Sequence, residues 1–435
     1  MIRLMKSRLD KYASPTKFHT GGTMTSIKKF CTTLSILCAG CLVISGTPVF
    51  AANNDIMIQG FDWGSHNTGW WATVQSTAGT LKSAGFTMIW LPPCSSTVDQ
   101  YGYMPNQWYD LNNGRYGNQA ALVSCINTLH ANGIKCLADI VVNHRCGLAT
   151  PGADFANPVF GEGQGSSDTG NPNNKRAVVS NDECGCGTGA ADAGLGFGGA
   201  RDLDHSWTTT QNTVATWMKW LKSSIGFDGW RYDFAMGYGA KYVAVYNAAT
   251  APYFSVSEDW DYNTTNVTNF VNTSGSPAFD FPTKNTLDAV FQNNNYSFLS
   301  NGGKAPGLIG TSPTRAVTFV DNHDSAPAPG GQNTLPCPPG SVYLAYVYIL
   351  THPGVPCVFW PQYYANQGMI NTLISIRKAQ GINAASSLSI QTATTTVYAA
   401  IINGNTAMKI GPGAWSPTGT WTLKTSGTNY AVWTK

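Results

Sequence analysis

Charge is scarce in this chain. Only 11% of its 435 residues are Asp, Glu, Lys or Arg, which argues against disordered segments and nucleic-acid-binding tails, both of which are rich in charge. The formal net charge of +3 is also unevenly spread. Residues 1–51 hold seven Lys or Arg against one Asp, a net of +6, so the remainder carries −3. An acidic body is poorly suited to a phosphate backbone. No internal repeat is visible. The Cys184-Gly185-Cys186 pair lacks the two-residue spacer and the second ligand pair of a zinc site.

What is abundant is apolar and aromatic. Hydrophobic residues make up 43% and aromatics 12%, enough for a packed core and for aromatic surfaces. The first 51 residues read as a targeting segment. Lys28 and Lys29 precede an apolar stretch from Phe30 to Ile44, and Val49-Phe50-Ala51 offers a signal-peptidase site after Ala51. That stretch is too short and too interrupted for a membrane span of about 20 residues, so a secreted, extracellular protein without a stable membrane anchor is expected. Eight cysteines follow the leader. Cys146 with Cys184 or Cys186 would staple the loop between them in an oxidising compartment, whereas Cys136 and Cys357 fall in apolar runs where a thiol acts as a small hydrophobe.

Strand and helix signals alternate along the body. Strands are expected at 56–61, 87–91, up to His144, 229–234, 253–258, 278–281, 316–319 and 357–360. Helices are expected at 70–84, 120–130, from about Thr209, 344–350 and 369–378. About 60 Gly-, Asn- and Asp-rich residues separate the third strand from the next helix, too many for an ordinary connection. From about Ile382 the pattern becomes short alternating strands. Four apolar runs end in charged residues: DIVVNH (Asp139 to His144), GWRYDF (Gly229 to Phe234), SVSEDW (Ser255 to Trp260) and FVDNHD (Phe319 to Asp324). In a parallel barrel such strand ends meet on one rim. They bring three acids, Asp233, Glu258 and Asp324, toward one place. Arg231 lies two residues before Asp233, on the same strand face.

These four segments, with GYMPNQWYDL (Gly102 to Leu111) and KAPGLIG (Lys304 to Gly310), resemble the α-amylase family of glycoside hydrolases. They look like its plant-type members and bacterial maltotetraose-forming amylases. The resemblance implies a (β/α)8 TIM barrel with an inserted B domain after strand 3 and a C-terminal antiparallel β-sheet domain. The corresponding boundaries are 1–51 (leader), 52–144 and 206–381 (barrel), 145–205 (B excursion) and 382–435 (C-terminal domain). It implies retaining endo-hydrolysis of α-1,4-glucosidic bonds in starch by a monomer. Asp233 would be the nucleophile, Glu258 the general acid/base and Asp324 the third carboxylate. Tyr103, His144, Arg231 and His323 would bind substrate. Calcium (Ca2+) would be held by Asn143, Asp202, the Gly237 carbonyl and Asp192. Met236 departs from the Arg usual in plant-type enzymes, so the product pattern does not transfer; a maltooligosaccharide-forming or transglycosylating relative is the alternative. A non-catalytic glucan-binding relative is disfavoured by the intact acids.

Overall fold

A computed structural model describes residues 54–67, 69–146, 175–183, 185–327 and 335–435. The leader expected at 1–51, Cys184 and residues 147–174 of the 145–205 excursion lie outside the described residues. Eight parallel strands close a barrel: β1 Met57–Gln59, β2 Met88–Leu91, β3 Lys135–Ile140, β4 Gly229–Tyr232, β5 Ser255–Ser257, β6 Ala278–Phe279, β7 Ala316–Phe319 and β8 Val355–Phe359. Each strand pairs with the next, and β8 returns to β1. Helices follow in turn: α1 Trp70–Ala84, α2 Gln119–Ala131, α3 Thr208–Trp220, α4 Ala240–Thr250, α5 Thr264–Ser274, α6 Phe281–Asn293, α7 Val342–Thr351 and α8 Gln367–Ala379.

Period-two alternation divides every strand between two cores. Met57, Met88, Trp90, Leu137, Val256, Phe279, Val317, Val355 and Cys357 fill the barrel. Ile58, Ile89, Leu91, Cys136, Ala138 and Val358 pack outward against Trp71, Leu81, Leu122 and Ile126 of the helices. The tight waist requires glycine at one point, since a Cβ at Gly229 would come within 2.0 Å of the Phe254 carbonyl oxygen. Helix starts are set by short polar side chains. The Asn118 carboxamide oxygen accepts the Ala121 N–H at 2.9 Å, and Asp280 accepts that of Thr283 at 3.0 Å.

Of the eight expected strands only β7 keeps its bounds, and β3 and β8 differ for the following reasons. β3 stops at Ile140 because its pairing with β4 ends at Tyr232, and His144–Arg145 instead pairs antiparallel with Arg201–Asp202. β8 begins earlier, at Val355 and Pro356, both in register with β7.

A five-stranded antiparallel sheet follows the barrel: β9 Leu388–Ala393, β10 Tyr398–Ile402, β11 Thr406–Ile410, β12 Thr422–Gly427 and β13 Tyr430–Thr434, in the order β9-β10-β11-β13-β12. Asn403 and Gly404, both at positive φ (51° and 72°), make the β10–β11 turn. The sheet meets the barrel through His352, whose Nε2 lies 2.8 Å from the Tyr398 hydroxyl. Buried Arg377 donates to the carbonyls of Leu350, His352 and Gly354, closing the end of α7. Cys94, Cys125, Cys136, Cys337 and Cys357 are buried thiols, and Cys186 is disulfide-bonded. Among the described residues no helix is long and apolar enough to cross a membrane.

Candidate active site and metal cluster

The inward side chains at the carboxyl ends of the strands are polar, and they converge on Arg231. Its Nη1 lies 2.7 Å from Asp139 Oδ1 and 2.6 Å from Asp233 Oδ1, and its Nη2 lies 2.7 Å from Glu258 Oε1. The guanidinium sits over the Trp90 ring, 4.7 Å from its centroid, and is fully buried. Just beyond Asp233, Phe234 adopts a left-handed conformation (φ 43°), unfavourable for an aromatic residue. Its N–H donates to Glu258 Oε2 at 2.8 Å. The turn thereby fixes the second oxygen of Glu258 while Arg231 fixes the first.

One guanidinium faces three carboxyls, with Asp324 beside them, and all four acids are buried. Burial raises Asp139 to about 6, against the opposing pull of Arg231. Burial, then the charge of Glu258, raises Asp324 to about 8. Asp233 is likewise pushed above the ordinary carboxylate range by burial, with Arg231 opposing and Glu258 and Asp139 adding to the rise. The group therefore retains at least one proton near neutrality, as a set of coupled acids.

The remaining sugar-binding candidates form one aromatic wall. Tyr103 donates its hydroxyl to Asp139 Oδ2 at 2.8 Å and stacks on His323, with ring centroids 5.3 Å apart and planes 9° apart. His323 Nδ1 meets Gln59 Nε2 at 2.9 Å, and its Nε2 lies 3.4 Å from Asp324 Oδ2. His144 is engaged with protein. Its Nε2 lies 2.8 Å from the Tyr103 carbonyl, its ring stacks on Phe197 at 3.8 Å, and burial lowers its pKa to about 4. A neutral His144 thus tethers the Tyr103 main chain.

Behind this wall, Asp321 anchors the loop that carries His323 and Asp324. Asp321 Oδ1 accepts Lys284 Nζ at 3.1 Å, the Ser325 hydroxyl at 2.9 Å and the Cys337 N–H at 3.1 Å. Its Oδ2 accepts Gln362 Nε2 at 2.7 Å. Lys284 also pairs with Asp288 at 2.9 Å.

The predicted metal ligands meet beside β4. Asn143 Nδ2 donates to Asp202 Oδ1 at 2.9 Å. A Cβ at Gly237 would lie 2.1 Å from Asn143 Oδ1, and one at Gly194 would lie 2.5 Å from the Gly237 carbonyl oxygen. These glycines keep a backbone cradle open over Asn143. A Cβ at Gly196 would lie 3.5 Å from an Asp202 oxygen and 3.8 Å from one of Asp192. Oxygens of Asp182, Glu183 and Asp202 lie within 4.8 Å of one another. Burial, reinforced by Asp192, Asp182 and Glu183, raises Asp202 to about 8. Crowded carboxylates with carbonyl and amide oxygens form a hard-cation donor set. Met236 is half-buried, and its carbonyl accepts the Leu195 N–H at 3.1 Å.

Sequence reasoning missed Asp139 as the third carboxyl on Arg231 and Asp182 and Glu183 in the metal cluster. Asp139 was visible as the acid opening DIVVNH, but its partner lies 92 residues away in sequence. Asp182 and Glu183 lie in a segment without strand periodicity, where no local pattern assigns a direction to a side chain.

Paired acids sharing one guanidinium at the rim of a closed β/α barrel are compatible with a glycoside hydrolase, and the relatives of this chain assign it to that class. Residues 54–156 match the family described as "Alpha amylase, catalytic domain", and residues 379–434 match "Alpha-amylase C-terminal beta-sheet domain". The chain is 35% identical over 408 residues to "Probable alpha-amylase 2" of Arabidopsis thaliana, covering 89% of this chain and 95% of that one. It is 38% identical over 406 residues to "Alpha-amylase 3, chloroplastic" of the same plant, covering 87% of this chain but 44% of that protein. An Anoxybacillus α-amylase structure superposes with a TM-score of 0.64 over 88% of this chain and 98% of the other, at 14% identity, a likeness of fold. The chain belongs to the α-amylase family, and it is a hydrolase of α-1,4-glucan bonds.

Proposed function

We propose that this enzyme cleaves α-1,4-glucans with retention of configuration, using Asp233 as nucleophile and Glu258 as acid/base. The shared grip of Arg231 on both acids, 2.6 Å to Asp233 and 2.7 Å to Glu258, is the observation that carries this reading. Asp233 attacks the anomeric carbon while Glu258 protonates the departing glycosidic oxygen, so the C–O bond breaks as the glycosyl ester forms. Glu258 then removes a proton from water, which displaces Asp233 and leaves the acid protonated for the next cycle. Arg231 stabilises the charge on Asp233 through Nη1 and orients Glu258 through Nη2. Asp324 and His323 grip the sugar hydroxyls, and Tyr103 provides a flat apolar face beneath the ring.

Two inversions restore the starting configuration. Proton NMR recorded before mutarotation should show the new reducing end as the α anomer, with acid-to-nucleophile spacing of about 5 to 5.5 Å in a substrate complex. Initial release of β product would overturn the assignment of Asp233.

Asn143, Asp202, the Gly237 carbonyl, Asp182 and Asp192 would hold Ca2+, with the charge of the ion offsetting that of the crowded carboxylates. The raised Asp202 and the glycine-lined cradle support this donor set. Because the unfolded chain cannot assemble these oxygens, calcium should add stability of about 2.7 kcal/mol at a hundredfold excess over Kd. Chelation should therefore lower Tm and starch turnover together, with calcium restoring both and magnesium restoring them poorly. Asp202→Ala should blunt the response. Full Tm and turnover in demetallated protein would exclude the site. The basic and apolar composition of residues 1–51 supports export of the protein as an extracellular enzyme.

A further inference from the structure

His323 stands in an aromatic box. Tyr103 stacks on its imidazole, and the rings of Phe61, Trp63 and Trp90 close around it with centroids 5.1, 5.0 and 5.5 Å away. These rings hold the imidazole plane. Its two nitrogens meet different polar groups, Gln59 Nε2 at 2.9 Å from Nδ1 and Asp324 Oδ2 at 3.4 Å from Nε2. We propose that Gln59 is a positioning residue: it donates to His323 Nδ1 and so fixes the ring with its hydrogen on Nε2, presenting a donor to a sugar hydroxyl beside Asp324. This rests on the hydrolytic reading above.

Gln59 is the last residue of β1. Side chains alternate along a strand, so it points into the barrel as Met57 does, while Ile58 packs outward. An amide buried among apolar residues is costly unless it is used. Gln59 Oε1 is buried without a hydrogen-bond partner among the described residues, which leaves His323 as the partner that the amide serves there. Burial, with the charge of Arg231 adding to it, keeps the ring neutral by holding its pKa well below the ordinary value. A neutral imidazole carries one N–H, and its position decides what the ring can do. An ionised Asp324 can only accept, which favours N–H at Nε2. Nδ1 is then bare, and the Gln59 NH2 group supplies the donor it needs. The 3.4 Å approach to Asp324 is longer than a good hydrogen bond, so Nε2–H remains available to substrate. In the opposite arrangement Nδ1–H would donate to Gln59 Oε1, and a bare Nε2 would face Asp324. That arrangement requires a protonated Asp324 and removes the donor.

In full-length free enzyme, isotope-labelled at the histidine nitrogens, long-range proton–nitrogen NMR should show His323 with a protonated Nε2 and a bare Nδ1, its signals assigned by their loss in His323→Gln. Gln59→Glu keeps the shape, but a carboxylate there can only accept, so the ring should become protonated at Nδ1. Its kcat on maltoheptaose should fall about 10- to 100-fold, the effect of a donor lost from a buried site, with KM changed far less. Gln59→Met removes the donor without offering an acceptor and should cost less, because Asp324 still favours Nε2–H. In a His323→Gln background Gln59→Glu should add little. A wild-type ring protonated at Nδ1 would overturn the assignment, even if the variants failed to fold. Equal losses in Gln59→Glu and Gln59→Met, or an equal fall from Gln59→Glu with and without His323, would overturn it too, by making residue 59 a packing position. A wild type with the Nε2–H ring that did not cleave maltoheptaose would refute the hydrolytic reading and leave the tautomer assignment standing.

Discussion

Glu258→Gln is expected to lower kcat on soluble starch by about 10²- to 10⁴-fold while glucan binding persists, because an amide of the same shape has no proton to deliver. The surroundings sharpen this expectation. Glu258 accepts from Arg231 through one oxygen and from the Phe234 N–H through the other. A glutamine can satisfy only one of these donors, and its NH2 group then faces the other, so a modest fall in Tm should accompany the loss of rate. Initial rates of reducing-end release, with binding measured separately, check the assignment. Turnover within a few-fold of wild type would remove Glu258 from the acid/base role.

Arg231→Met is expected to be the most destabilising single change at the rim. The guanidinium is the one cation that pairs with Asp139, Asp233 and Glu258, in a buried position. Removing it leaves buried carboxyls with no cation, a loss of about 3–5 kcal/mol for a broken buried pair. Denaturant unfolding should report that loss, and starch hydrolysis should vanish with it. Adding Asp139→Asn should recover part of the stability, because one fewer acid then needs compensation. A single mutant within 1 kcal/mol of wild type, on the order of a surface change, would show that Arg231 is not the organising charge. Lysine should not substitute, since a point charge cannot hold two acids through separate nitrogens.

The sequence was most informative where chemistry coincides with periodicity. α1 at Trp70–Ala84 and β7 at Ala316–Phe319 follow their apolar patterns to the residue. Arg231 and Asp233 share a face because strands alternate, and Arg231 does reach Asp233. Contacts between distant segments were illegible. Nothing local in DIVVNH indicates that Asp139 rather than His144 faces the guanidinium, because that depends on β3 ending at Ile140 and the chain turning before Asn143. Nor does sequence reveal that His144 bonds to the Tyr103 carbonyl, since the two meet only when the excursion pairs back at Asp202.

The anchoring of Asp321 by Lys284, Ser325, Gln362 and the Cys337 N–H changes how relatives of this enzyme should be judged. An inventory confined to Asp233, Glu258 and Asp324 would pass a relative as active even if residue 321 or 284 had been replaced. Yet the buried acid without its lysine, or the lysine left with Asp288 alone, is costly enough to shift the loop that bears Asp324. Positions 284 and 321 are therefore best read as a pair. A charge at one and a neutral residue at the other marks a relative in which residue 324 has lost its footing, although the three acids proposed for catalysis are still present.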